Sequence, residues 1–235
     1  MHRGSALSSE PKVADALAEA AVADIQSGMV VGLGTGRTAA RAVNALAERV
    51  RAERLDIRCV PTSHVTETLA RALGLPLADF AMIEQVDYLF DGADEVDPQM
   101  RMLKGGGGAM IRERIVAHAS ARRVYIVDES KLVDRLGQRT ALAVGVMAFG
   151  LASIRSRLRD MGLHGVVRRT LDGHLFLTDN GSLIIDVTLE DRDVEELACN
   201  LNAVPGVIDH GLFLDEADDI LVETPRGIER MQQKD

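Results

Sequence analysis

Between Asp91 and Glu113 the chain packs into 23 residues two carboxylates in Asp91-Gly92-Ala93-Asp94, a lysine, Lys104, that opens a run of four glycines, and a glutamate between two arginines. An acid pair, a cation, open backbone amides and a base are the parts needed to move protons on a sugar and to stabilise the negative charge that forms. Gly105, Gly106, Gly107 and Gly108 give up more conformational entropy on folding than a structural loop needs to, and close approach of backbone to ligand accounts for them. Glu113 follows at the start of a helix, on the side opposite Ile111, Ile115 and Val116, which predicts that it lies outside the core.

A second glycine-rich turn, Gly32-Leu33-Gly34-Thr35-Gly36-Arg37-Thr38, runs from an apolar strand into a helix, where free amides and the helix dipole favour a phosphate. It is not a dinucleotide fingerprint, because the third glycine of that pattern falls on Arg37 and no acidic residue ends the second strand, nor is it a P-loop, whose lysine is missing. Lys131, in Asp128-Glu129-Ser130-Lys131, offers a second cation to phosphate or an enolate oxygen.

Taken singly, each motif has a plainer reading. The glycine turn is then a tight turn, Asp91 and Asp94 a helix cap or solvated acidic turn, the glycine run a hinge, and Glu113 and Lys131 surface charges. A hard-cation site of Asp91 and Asp94 with Glu95 and Asp97 is a further alternative, though the calcium-loop spacing is absent. No metal is expected. The six histidines show no metal-ligand spacing and receive no chemistry, and Met100 and Met102 read as core filler.

These residues need elements to carry them. Apolar spacing predicts helices over Pro11 to Ile25, Arg37 to Arg51, Val65 to Leu73 and Ala109 to Ala121, and strands over Met29 to Leu33, Ile57 to Pro61, Val86 to Phe90 and Val124 to Val127. Such alternation predicts an α/β fold, a Rossmann-like open and mainly parallel sheet with helices on both faces, which binds ligands at the carboxyl ends of its strands. The polar motifs fall at four of those ends. From about Thr140 the texture changes to a strand, a helix over Phe149 to Met161, three short β runs joined by Asp172-Gly173 and Asn180-Gly181, and a helix over Asp191 to Asn202. That predicts a smaller α+β, ferredoxin-like domain over 132–206, inserted into an α/β domain of 1–131 and 207–235, with sheet resuming at Val207 to Phe213 and Ile220 to Thr224.

Size and charge narrow the function. A chain of 235 residues, 46% hydrophobic, can bury a core without staples. Its net charge of -9 leaves no positive excess for nucleic acid or anionic membrane, and 3% aromatics without tryptophan remove the stacking platforms of single-strand binders. The longest nearly uncharged stretch, Thr140 to Ile154, is too short to span a bilayer, and no apolar secretory core follows Arg3, so a cytoplasmic protein is expected. Met1 to Ser5 are set aside from fold reasoning. Cys59 and Cys199, far apart, are expected to be buried thiols.

In order, Gly-Leu-Gly-Thr-Gly-x-Thr-Ala (32–39), Asp-Gly-Ala-Asp-Glu (91–95), Lys-Gly-Gly-Gly-Gly-Ala (104–109), Arg-Glu-Arg (112–114) and Glu-Ser-Lys (129–131) make a set that resembles ribose-5-phosphate isomerase, type A. The likeness covers nearly the whole chain, through Asn-Ala-Val-Pro-Gly-Val at 202–207 and Gly-Leu-Phe at 211–213. It implies interconversion of D-ribose 5-phosphate and D-ribulose 5-phosphate through an enediolate, with no metal or organic cofactor, by a homo-oligomer that is expected to be a dimer. By the resemblance, Glu113 is the base between C1 and C2, Asp91 and Asp94 assist ring opening and hydroxyl proton transfers, and Lys104 and the glycine amides stabilise the oxyanion. Thr35, Gly36, Arg37, Thr38 and Lys131, with Gly92, Ala93 and the glycine run, hold sugar and phosphate. Arg37 is a departure, a long cation where many relatives carry serine. The rival readings are another sugar-phosphate isomerase or deaminase of the same fold, and a sugar-phosphate-sensing module, for which the residues before Val13 supply no basic helix-turn-helix.

Overall fold

The carboxylate of Asp15 accepts the Ala18 N–H and starts α1 (Ala16–Val22), the first helix of a computed structural model that describes residues 15–232. Residues 11–14 of the expected first helix, and Met1 to Ser5, lie outside the described residues. Then come β1 (Val30–Leu33), α2 (Arg37–Glu53), β2 (Arg58–Pro61), α3 (His64–Ala72) and β3 (Val86–Gly92). Two short strands, β4 (Glu95–Val96) and β5 (Met102–Leu103), precede α4 (Met110–Ala119) and β6 (Ser120–Asp128). The chain continues through β7 (Leu142–Val146), α5 (Leu151–Asp160), β8 (Gly165–Val167), β9 (Leu183–Val187), α6 (Val194–Asn202) and β10 (Val207–His210). It ends with β11 (Leu212–Phe213), β12 (Asp219–Thr224) and β13 (Gly227–Gln232).

The main sheet has the order β2-β1-β3-β6-β12-β13, parallel throughout except for the antiparallel edge β13. Strand periodicity divides its side chains between two layers. Val31, Leu33, Tyr88, Phe90, Val124 and Ile126 pack with α1, α2 and α3, while Val30, Val60 and Leu89 meet Val116 and Ala117 of α4 on the other face. Farther along that face, Tyr125, Val127, Ile220 and Val222 pack against Met102, Met110 and Phe213, with Met100 and Met102 in the core as their type suggested.

Between β6 and β12 lies the sequence β7-α5-β8-β9-α6-β10, which folds as an antiparallel sheet of order β10-β7-β9-β8. That is the βαββαβ arrangement of ferredoxin-like units. One face of this sheet is closed by Ile154 and Leu158 of α5 and Leu197 and Leu201 of α6. Its other face sends Ala143 and Ile184 against Met110 and Ile111 of α4, so the second layer leans on the helix that follows the glycine run.

Three sequence expectations need correcting. Val207 to His210 does not return to the main sheet but pairs antiparallel with β7, because a chain leaving α6 through Gly206 meets the open edge of β7 first. The middle of the three β runs makes only an isolated bridge, Arg169 to Leu175, since its two turns leave no room for a ladder. Cys59 is buried, but Cys199 is exposed on the solvent side of α6.

Candidate active site

The carboxyl ends of β1, β3 and β6 open onto a cleft of about 560 Å³. Thr35, Gly36, Arg37, Thr38, Gly92, Ala93, Asp94, Lys104, Gly105, Gly106, Gly107, Glu113 and Lys131 line it, joined by Arg41 and Asp128. Asp91 sits beneath the lining, fully buried. The sequence-nominated residues therefore come together in one place, with Asp91 as the floor.

At the centre is Lys104. Its Nζ lies 3.0 Å from Asp91 Oδ2 and 3.3 Å from Glu113 Oε1, and it also donates to the Gly92 carbonyl. The rings of Tyr125 and Phe213 lie 5.4 and 5.6 Å away, giving the ammonium aromatic faces as well as anions. Burial by itself would lower the lysine pKa, but the Asp91 and Glu113 carboxylates outweigh it and raise the pKa above the ordinary value. The backbone is fixed too, since Lys104 N–H donates to Gly211 O at 2.9 Å.

Glu113 corrects the sequence reading most sharply. It is 4% exposed, whereas Ile115, assigned to the buried face, is 52% exposed. The buried face of α4 is Met110, Ile111, Glu113, Val116 and Ala117, because the helix lies between two sheets: Met110 and Ile111 enter one core, Val116 and Ala117 the other, and Glu113 faces the cleft beside Lys104. Burial pushes the Glu113 carboxyl up to about 8, with Asp91 adding to the rise and Lys104 opposing it. A carboxylate so held is a far stronger base than a solvated one.

Asp91 is oriented by its own turn. Its Oδ1 accepts the N–H groups of Thr35 at 2.9 Å and Gly92 at 2.7 Å. A side chain at residue 34 would stand 2.3 Å from that oxygen, so only glycine permits the approach. The Thr35 amide is thus committed to Asp91, and its hydroxyl joins Thr62, Ser63 and Thr66 behind the turn. The amides left to face the cleft are those that begin α2 after Gly36, whose φ of 105° suits glycine and which carries no side-chain cap. Asp94 points up from the same β3 turn, its Oδ2 accepting Gly106 N–H at 2.8 Å.

Arg37 and Lys131 stand at the open end of the cleft without ion pairs to any described residue. Arg41, one helical turn beyond Arg37, was not nominated from sequence, although its i+4 spacing put it on the same face. It is held by Asp15 and Glu223, with Nη2 donating to Asp15 Oδ1 at 2.7 Å and to Glu223 Oε1 at 2.8 Å. Asp128 was also passed over; Ser130, bonding to its side chain, holds its carboxyl below the usual value.

The alternative cation site loses two of its ligands to other work. Glu95 accepts the N–H groups of Gly137, Arg139 and Thr140, all at 2.6 Å, and Asp97 accepts those of Gln99 and Arg101 and pairs with the Arg101 guanidinium. Among the described residues no group of three or more His, Cys, Asp or Glu is disposed to hold a metal ion.

An open α/β sheet with buried carboxylates and a lysine at its strand ends defines a class of small-molecule proton-transfer sites, and known proteins narrow it. Residues 58–227 match the family model of ribose 5-phosphate isomerase A (phosphoriboisomerase A), and the chain belongs to that family. It is 46% identical to ribose-5-phosphate isomerase A of Roseiflexus sp. (strain RS-1) over 90% of this chain and 91% of the relative. Ribose 5-phosphate isomerase A from Methanocaldococcus jannaschii superposes with a TM-score of 0.89 at 37% identity, covering 93% of this chain and 97% of the other. A D-ribose-5-phosphate isomerase in complex with phospho-erythronic acid gives a TM-score of 0.88 at 34% identity over 92% and 96%.

Proposed function

We propose that this chain interconverts D-ribose 5-phosphate and D-ribulose 5-phosphate through an enediolate, with Glu113 as the base. One observation carries the reading: a buried carboxylate of raised pKa stands 3.3 Å from a buried ammonium at the floor of a cleft lined by Gly105, Gly106 and Gly107. Asp91 and Asp94 assist ring opening and relay hydroxyl protons. Glu113 then takes the C2 proton of the aldehyde form, electrons move onto the carbonyl oxygen, and the same carboxyl returns the proton to C1 of the enediolate. Lys104 and the glycine amides stabilise the oxygen charge, each such donor typically contributing ~3 kcal/mol to the transition state. Arg37, Thr38 and Lys131, with the amides that begin α2, hold the phosphate at the far end.

On this reading the charge that a Lewis acid would supply comes from Lys104, and the enzyme works without metal or organic cofactor, as a cytoplasmic homodimer in the pentose phosphate pathway. Phospho-erythronic acid, whose carboxylate resembles the charged enediolate, is expected to compete with substrate.

The test is to incubate the purified protein with ribose 5-phosphate and EDTA and follow ketose, running Glu113→Gln alongside. Ketose from wild type and a loss of ~100-fold or more in the variant are expected, since general-base catalysis contributes about that much. Near-normal turnover by the variant removes Glu113 from the mechanism. Loss of wild-type activity in EDTA, restored by a divalent ion, sinks the metal-free reading, and preference for a six-carbon phosphate sinks the choice of substrate.

A further inference from the structure

The inserted domain sends one side chain into the glycine run. Arg168 follows β8 directly, its backbone fixed on both sides: its N–H donates to Ile184 O at 2.8 Å and its carbonyl accepts Phe176 N–H at 3.0 Å. Its guanidinium is paired with Asp186 of β9 through two bonds, Nε to Oδ2 at 2.9 Å and Nη2 to Oδ1, and lies over the ring of Phe176 at 5.7 Å. Nη1 is left to donate to Gly105 O at 2.7 Å and to Gly106 O at 3.1 Å. The fork geometry lets one cation hold a carboxylate and two carbonyls at once.

Peptide planarity carries that grip across the loop. In a trans peptide the C=O and N–H point to opposite sides, and among the described residues no peptide is cis. The unit whose Gly105 carbonyl accepts Arg168 is therefore the unit whose Gly106 N–H donates to Asp94 Oδ2 at 2.8 Å. By the same rule the Gly106 carbonyl held by Arg168 turns the Gly107 N–H to the opposite side, where Gly107 lines the cleft. Glycine peptides rotate at little steric cost, so a run of them has no preferred orientation of its own.

We propose that Arg168 is a positioning residue for the isomerisation: by holding the Gly105 and Gly106 carbonyls it fixes the Gly106 N–H on Asp94 and aims the Gly107 N–H at the oxyanion. This rests on the isomerase reading above. Arg168 touches no substrate. Its charge also polarises the peptides it holds, strengthening the amides on their far side.

The experiment uses Arg168→Met, which keeps a side chain of similar length against Phe176 but has no donor, and Arg168→Met/Asp186→Leu, which leaves no unpaired carboxylate behind. In glycine-labelled full-length protein, turnover, KM, inhibition by phospho-erythronic acid and amide exchange at Gly106 are measured together. Turnover is expected to fall about 100-fold, as for loss of one oxyanion donor. KM should change little, the inhibitor should weaken in step with turnover, and the Gly106 amide, protected in wild type, should exchange freely.

Wild-type turnover in the folded double variant overturns the proposal. So does lost activity with Gly106 still protected, because the effect then does not pass through the loop. If neither variant melts cooperatively, Arg168→Lys takes their place, keeping a cation beside Asp186 that cannot span both carbonyls as well. If wild type itself does not isomerise ribose 5-phosphate, the reaction assignment falls, and Gly106 exchange alone decides whether Arg168 sets the loop.

Discussion

Glu113 and Lys104 divide the work of one buried charge cluster. The Asp91 and Glu113 carboxylates raise the Lys104 pKa against the effect of burial, and the Glu113 pKa is itself raised toward neutral pH because burial and Asp91 outweigh the lysine. Since only the carboxylate can take a proton, kcat/KM for ribose 5-phosphate should rise with pH along a limb centred near 8. A limb at the ordinary glutamate position would exclude Glu113 as the titrating base. Stability runs the other way. A folded pKa above the unfolded one means that the contribution of Glu113 is complete below about 4.5 and declines as pH rises through about 8. Glu113→Gln does not titrate, so its Tm relative to wild type should climb across that window while its turnover stays low. A pH-independent difference in Tm would show that the folded carboxyl is not perturbed.

The glycine run is the element that joins these residues, and its spacing is tighter than its flexibility suggests. A Cβ at residue 106 would stand 2.8 Å from Asp94 Oδ1. Gly106→Ala should therefore displace Asp94 and cost about 100-fold in turnover, the scale of a 1 Å misplacement, with little change in Tm. Gly173→Ala, at a φ of 87° in the hairpin of the inserted domain with nothing near its Cβ, should cost stability of about 1 kcal/mol and leave turnover alone. Equal kinetics for the two variants would mean that the 105–107 loop is not held against Asp94. Much of this element was legible in the sequence, because glycines and charges at strand ends are local signals. What escaped depends on contacts that no local pattern encodes. Helical periodicity put Ile115 inside and Glu113 outside, and only the packing of α4 against two sheets reverses them. Arg41 is fixed in the cleft by Asp15 and Glu223, which are distant from it in sequence. Arg168 gave no signal, since beyond Asp186 its partners are backbone carbonyls of a loop more than sixty residues earlier in the chain.

At the scale of the whole molecule, the inserted unit and the parallel sheet meet along a seam that runs through the site. Lys104 N–H donates to Gly211 O, Gly211 N–H donates to Ala143 O, and Arg114, next to Glu113, pairs with Asp209 at 2.8 Å. The α/β alternation that revealed the main sheet could not reveal this seam, because β10 pairs with β7 of the smaller sheet rather than with the main sheet. The order of strands adds a consequence in time. β12 pairs with β6, yet residues 129–218 lie between them in the chain. As the ribosome extends the polypeptide, β6 is left as a bare apolar edge, Val124 to Val127, until the insertion has been made and β12 emerges. A chain ending at Asp218 should accordingly aggregate where the full-length protein stays monodisperse by light scattering, and a monodisperse fragment would mean the edge is shielded by other means. Lys104 leaves the ribosome early, but its backbone partner is residue 211 of 235. The cleft therefore closes around Lys104 only after residue 211 has been made, and a message cut short before that point leaves its central lysine without the backbone contact that fixes it.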